Sequence, residues 1–145
     1  MVVAGNKTRR LTRLNVPGGT MTLENAGYIW CGTWDVTNDT HKANASWTVG
    51  GANDTVPAKM VVKAVSTLDA FVPSGNSTAS YLHVQDTGTK GAILEVHDGG
   101  ALTNWIGVAQ AANTKGALYQ YGGSVRNLCH AGHDGYVGRY AGSYG

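Results

Sequence analysis

The sequence predicts an all-β protein, an antiparallel β-sandwich or jelly-roll-like barrel with an extended basic N-terminal arm and a Gly/Tyr-rich C-terminal tail. Three observations predict it. Short runs of β-branched and aromatic residues recur along the chain, separated by clusters of Gly, Asn, Asp and Pro. The first 23 residues hold Lys7, Arg9, Arg10 and Arg13 and no acid, whereas the rest holds seven basic and nine acidic residues. From His130 onward Gly alternates with Tyr136, Tyr140 and Tyr144, a pattern too poor in apolar mass to build a core. The chain therefore divides into an arm over 1–15, a sandwich over 16–130 and a tail over 131–145.

The elements follow in order. Leu11 to Val16 is a short extended run, and Pro17, Gly18 and Gly19 form a turn, with Pro fixing φ and Gly allowing positive φ. Thr20 to Glu24 reads as a strand that Asn25-Ala-Gly27 breaks. Tyr28 to Val36 carries the strongest strand signal, and Ser46 to Val49 answers it across the polar loop 37–45. Trp34-Asp-Val36 with Asn38-Asp-Thr40 rhymes with Trp47-Thr-Val49 and Asn53-Asp-Thr55, which suggests two similar strand-turn units. Lys59 to Val65 is dense in Val and predicts a strand, while Val65 to Ala70 is the one stretch with a helical reading.

A meander follows over 80–85, 91–97, 104–110, 116–121 and 124–129. Its connectors at Asp86–Lys90, Asp98–Gly100, Ala112–Lys115 and Gly122–Gly123 carry the φ-permissive residues that hairpins need. Thr89-Lys-Gly-Ala-Ile-Leu94 and Thr114-Lys-Gly-Ala-Leu-Tyr119 are near-copies, each leading from a turn into a core strand.

Composition narrows the function classes. Only 14% of residues are charged and 21 of 145 are Gly, giving a surface that is polar without being charged. Such a surface suits packing against copies of itself better than a free enzyme. The basic N-terminus has no apolar stretch behind it, and no run of about 18 apolar residues occurs, so the expectation is synthesis without export and no membrane span. Cys31 and Cys129 are too few for a disulfide scaffold and are expected as reduced, buried thiols. Asn6, Asn38, Asn44, Asn53 and Asn76 fit the glycosylation acceptor pattern, but turn chemistry is the more economical explanation.

Candidate chemistry is sparse. Cys129, His130, His133 and Asp134 are metal-ligand types, and Cys31 or His97 could join them in space, yet their spacing matches no zinc motif. Cys31, His97 and Asp98 are a triad only on paper, without a Gly-x-Ser-x-Gly elbow. Glu24 and Glu95 are the two glutamates, and most Asp residues sit in turn sequences, which leaves no evident carboxylate pair for glycoside hydrolysis. The expectation is a non-enzyme with no cofactor and no metal. The four arm charges offer salt-dependent affinity but no interleaved aromatic residue for base stacking, so direct nucleic-acid binding is disfavoured. Trp30, Trp34, Trp47, Trp105 and seven Tyr could stack on sugars, and Tyr28, Trp30 and Trp34 share a strand face by the period of two. A core position is the commoner fate of such a stripe.

The arm Asn6-Lys-Thr-Arg-Arg10, the meander with its paired Thr-Lys-Gly-Ala segments and the terminal Gly/Tyr tail together give a chain that resembles, in general style, the decoration or cement proteins of tailed bacteriophages. That resemblance implies a virion structural protein on the capsid surface, made in the host cytoplasm. It implies a homotrimer whose partners are the major capsid protein and copies of itself. The contacts would come from Lys7, Arg9, Arg10, Leu11, Arg13 and Leu14 of the arm and from Tyr136, Arg139, Tyr140 and Tyr144 of the tail. The alternative is a carbohydrate- or receptor-binding module, such as the knob of a fibre or spike.

Overall fold

A computed structural model describes residues 9–11, 13–31, 33–35, 40–42, 46–50, 56–70, 81–87, 91–127, 136–138 and 141–145. They form three parallel sheets and one small antiparallel pair, and no helix occurs among them.

The chain winds through the sheets in a fixed rotation. β1 (Arg9–Leu11) lies in sheet A. β2 (Arg13–Val16), β3 (Gly19–Glu24) and β4 (Gly27–Cys31) then enter sheets B, C and A in turn. β5 (Thr33–Asp35) and β6 (Thr40–Lys42) pair antiparallel to each other outside this rotation. β7 (Ser46–Val49), β8 (Ala58–Lys63) and β9 (Ser66–Ala70) repeat the B, C, A order. β10 (Tyr81–Val84), β11 (Ala92–Val96) and the first half of β12 (Gly100–Val108) repeat it again. The second half of β12 crosses into sheet B, and β13 (Gly116–Gln120) and β14 (Ser124–Asn127) complete a fourth coil. β15 (Tyr136–Val137) opens a fifth in sheet B, and Tyr144 arrives beside Lys115 at the entrance to sheet C.

This arrangement corrects the antiparallel sandwich or jelly-roll expected from the sequence. Parallel strands cannot be joined by a two-residue hairpin; they need a crossover, which is a helix in most α/β chains. Here strands of the other two sheets make the crossover, so the chain returns to each sheet one coil further on, as in a solenoid. The connectors read as hairpins are corners between sheets. Asp98-Gly99 joins β11 in sheet C to β12 in sheet A, and Gly122-Gly123 joins β13 to β14 in the same sense. The Val65 to Ala70 stretch is strand β9 from Ser66 onward, not helix.

The expected extended arm is corrected over its described residues, which are strands, and the described residues of the Gly/Tyr tail pair with the body. Arg9–Leu11 pairs in parallel with Ile29–Cys31, and Arg13–Val16 pairs with Ser46–Val49. Tyr136–Val137 pairs with Gly107–Val108, and the backbone of Tyr144 accepts from Gly116 N at 3.0 Å and donates to Thr114 O at 2.9 Å. A basic segment and a Gly/Tyr segment can supply strands because neighbouring coils furnish the core and the backbone partners.

The core fills the space between the sheets, built from rows of like residues stacked coil upon coil. Alternation on β8 and β11 places Ala58, Met60 and Val62, and Ala92, Leu94 and Val96, inward. In register this gives the rows Met21–Met60–Leu94–Leu118 and Leu23–Val62–Val96 in sheet C. Sheet A contributes Ile29–Leu68–Leu102–Val125. Sheet B ends on Val16–Val49–Val84–Val108–Val137. A β-branched side chain packs well on its equal one layer away, so a row of Val is self-consistent.

Corners carry the strain. Every passage from sheet C to sheet A uses the left-handed region: Asn25 (φ 50°), Ala64 (43°) with Val65 (53°), Gly99 (74°) and Gly123 (67°). The corners bond to one another along the stack, with Asn25 N donating to Ala64 O at 2.7 Å and Ala64 N to Asp98 O at 2.9 Å. The buried Ser66 hydroxyl accepts from Ala26 N at 3.1 Å and satisfies a donor that the bend would otherwise strand.

Candidate functional site: the outer face of sheet C and the last coil

Residues that point outward from sheet C form a second set of rows. Thr22, Val61, Glu95 and Tyr119 share one row, and Glu24 lies opposite Lys63. Beyond the end of β13, Tyr121 N donates to Val96 O at 2.8 Å, which sets the Tyr121 ring beside His97 of the preceding coil. The two rings lie 4.9 Å apart at 34°. Tyr119 and Tyr121 are successive outward positions of one extended segment, and their rings lie 6.0 Å apart at 23°.

Below the two tyrosines is a compensated charge cluster. Lys59 Nζ lies 2.7 Å from Glu95 Oε1, and His97 Nε2 lies 3.0 Å from Glu95 Oε2. The carboxylate only accepts, so in this pairing His97 Nε2 carries the proton. The Lys59 hydrogen bond, then that of His97, holds the Glu95 carboxyl below its ordinary range. Lys63 is 3.2 Å from Glu24. Lys59 and Lys63 thus already have carboxylate partners.

On sheet B, His83 is outward and half-buried, opposite Thr48 and Gly107 in register. Burial lowers its pKa, while a side-chain hydrogen bond with Gln110 acts the other way. A Cβ at Gly107 would run into the Gln110 side chain, so glycine there leaves room for it. Gln85 Oε1 accepts from Ala111 N at 3.0 Å and holds the same loop against the sheet.

The ends of the stack differ. The inward residues of the first coil are covered: Val16, Met21, Leu23, Ala26 and Ile29 are at most 9% exposed. In the last coil Leu118 and Val125 are only partly buried, and Tyr119, Tyr121, Val137 and Tyr144 rank among the exposed large hydrophobic side chains. Among the described residues, no strand pairs along the outer edge of β13 beyond the bridge of Tyr144 to Lys115.

The sequence-predicted contact residues fall in different places. Arg9, Arg10 and Leu11 lie in β1, and Arg13 and Leu14 in β2, at the first-coil end of the stack. Tyr136 lies in β15 and Tyr144 follows it at the opposite end, exposed. Lys7, Arg139 and Tyr140 lie outside the described residues, as does the Cys129, His130, His133 and Asp134 cluster. Among the described residues, no three His, Cys, Asp or Glu side chains group as metal ligands. Sequence reasoning missed Tyr119 and Tyr121 as a pair; the alternation Tyr-Gln-Tyr after a core strand was the signal available. Comparison of the chain with protein-family models, with curated proteins and with solved structures finds no match.

Proposed function

We propose that this chain is a non-enzymatic structural protein of a virus particle, a capsid decoration that binds the major capsid protein and copies of itself. The observation that carries the reading is the uncovered apolar layer of the last coil: Leu118, Val125, Val137 and Tyr144 beside the strand edge of β13. An apolar layer beside a strand edge that no strand among the described residues covers is a surface suited to strand addition by another chain. A stacked body with few charges can then lie against a lattice of identical subunits without repulsion. In this form of the mechanism attachment passes through the end and the faces of the stack. It does not need a free arm, because Arg9–Leu11 and Arg13–Val16 are strands.

Light scattering on the purified chain at low and high salt tests this. Assembly through an apolar end persists at high salt, because screening weakens only exposed charge pairs. A defined oligomer at both salt levels, reduced to monomer by Val137→Asp with Tyr144→Asp, is the expected result. A monomer at both salt levels would sink the self-assembly half of the reading, and failure to co-sediment with capsids would sink the other half.

A further inference from the structure

A solenoid lays its coils down in chain order, so blocks of charge in the sequence follow the order of the coils. The first 23 residues hold four basic residues and no acid, residues 24–98 hold four basic and eight acidic, and residues 99–145 hold three basic and one acidic. The order is therefore basic, acidic, basic. Lys59 and Lys63 of the second coil are paired with Glu95 and Glu24. Lys115 and Arg126 of the fourth coil are exposed, and neither pairs with a carboxylate among the described residues.

The same coil has an open strand edge. Lys115 O and Tyr121 N bond back to Ala92 N and Val96 O, so alternate residues of β13 turn their backbone toward β11. Leu118 and Gln120 turn theirs the other way, as does Gly116, whose N–H already donates to Tyr144 O at 3.0 Å. Among the described residues, no strand pairs beyond β13 in sheet C or beyond β14 in sheet A. Leu118 and Val125 beside these edges are only partly buried, whereas Leu94 and Leu102, one coil earlier in the same rows, are fully covered.

The geometry points to strand addition by an acidic extended segment of a partner protein, laid along β13 and around the corner onto β14. Its apolar residues cover Leu118 and Val125, and its carboxylates lie toward Lys115 and Arg126. The edge decides that the occupant is a polypeptide, because backbone groups at strand spacing bond another strand and an apolar row needs apolar side chains to cover it. Charge decides which polypeptide. Two uncompensated cations beside the edge favour carboxylates, and a basic segment would add repulsion. The same charge disfavours a second copy of this chain, because stacking it by either end sets basic on basic. The inference rests on the capsid reading for the use of this end of the stack and adds the chemistry of the partner's segment. Its test uses a peptide with no capsid sequence, so the two fail separately.

The probe is a synthetic peptide of about twelve residues that alternates Val with Glu on either side of a Gly-Gly pair, as β13 and β14 flank Gly122 and Gly123. Calorimetric titration of the whole chain compares it with a Val/Lys counterpart and with an N-methylated Val/Glu peptide that cannot donate to a strand edge. Amide hydrogen exchange is followed in parallel. The Val/Glu peptide is expected to bind, to slow exchange at Leu118 and Gln120, and to bind more weakly as salt rises. The Val/Lys and N-methylated peptides are expected not to bind. Lys115→Glu with Arg126→Glu should weaken the Val/Glu peptide by about tenfold or more and admit the Val/Lys peptide, a gain that misfolding cannot give. The assignment is overturned if the Val/Glu peptide does not bind, if either control binds as well, or if the double variant keeps the parent's preference. Protection of the Leu118 and Gln120 amides that rises with protein concentration in the absence of peptide would give the edge to a second copy and overturn it too.

Discussion

Val65 carries a β-branched side chain at φ 53°, where such residues are rare, and it is 71% exposed. Other coils place Asn25, Gly99 and Gly123 at the corresponding corner. Val65→Asn should therefore stabilise the chain by about 1 kcal/mol by relieving left-handed strain at little packing cost. Chemical denaturation would measure it, and a destabilised variant would show that Val65 contributes packing in the native state. Leu94 is the opposite case, fully buried in a row with Met60 and Leu118. Leu94→Ala should cost about 2–5 kcal/mol, because flanking coils limit how far the cavity can collapse. Among the described residues, two titrating groups with lowered pKa contribute to the acid limb of stability. Both Glu95 and His83 have folded pKa values below their ordinary ones, so the unfolded chain binds more protons. The Glu95 contribution is present above the ordinary glutamate pKa and is lost as pH falls through its lowered folded value. The His83 contribution is present above the ordinary histidine pKa and fades as pH falls below it. The thermal midpoint of His83→Gln should show a weaker pH dependence in the mildly acidic range, while Lys59→Met should flatten the limb at lower pH.

At the scale of the element, strand positions were legible and strand partners were not. Period-two alternation marks β8 and β11 whatever they pair with, because it reports only which side is buried. Turn chemistry misled for a physical reason: Asp98-Gly99 supplies positive φ equally to a hairpin and to a corner between sheets. The near-copies Thr89 to Leu94 and Thr114 to Tyr119 mislead by one residue. Their like residues are 25 positions apart, but Ala92 pairs with Gly116 and Leu94 with Leu118. A one-residue offset exchanges inside for outside, so Ile93 faces out where its sequence counterpart Leu118 faces in. The row Gly19–Ala58–Ala92–Gly116 stays small through every layer. At Gly116 a Cβ would meet the carbonyl of Val84. Gly116→Val should destabilise by about 1–3 kcal/mol through overpacking against backbone, read as a lower urea midpoint with an unchanged slope. An unchanged midpoint would mean that the corner yields freely.

Across the whole molecule, the charge asymmetry read from the sequence is real, but its structural meaning differs from the one expected. Basic character concentrates in the first 23 residues, which suggested an arm. Arg9–Leu11 and Arg13–Val16 are instead strands at one end of the stack, and among the described residues the exposed aromatic side chains Tyr119, Tyr121 and Tyr144 lie at the other. No local pattern predicts this polarity, since it depends on which coil comes last and not on any residue's own propensity. The candidate site was illegible for the same reason. Tyr119 and Tyr121 join His97 in one ring cluster only because the preceding coil sets His97 beside Tyr121.

The in-register pairing has a mechanical consequence. The hydrogen bonds of the parallel sheets, such as Gly50 to Val16, Gln85 to Val49, Ala109 to Val84 and Gly138 to Val108, run from one coil to the next. Tension applied along the stack therefore loads the layers in series, and they separate rung by rung like a zip. Tension applied along the strands loads a whole rung at once in shear. The same chain is soft to peeling and stiff to sliding, so the direction in which it is anchored decides the force it withstands.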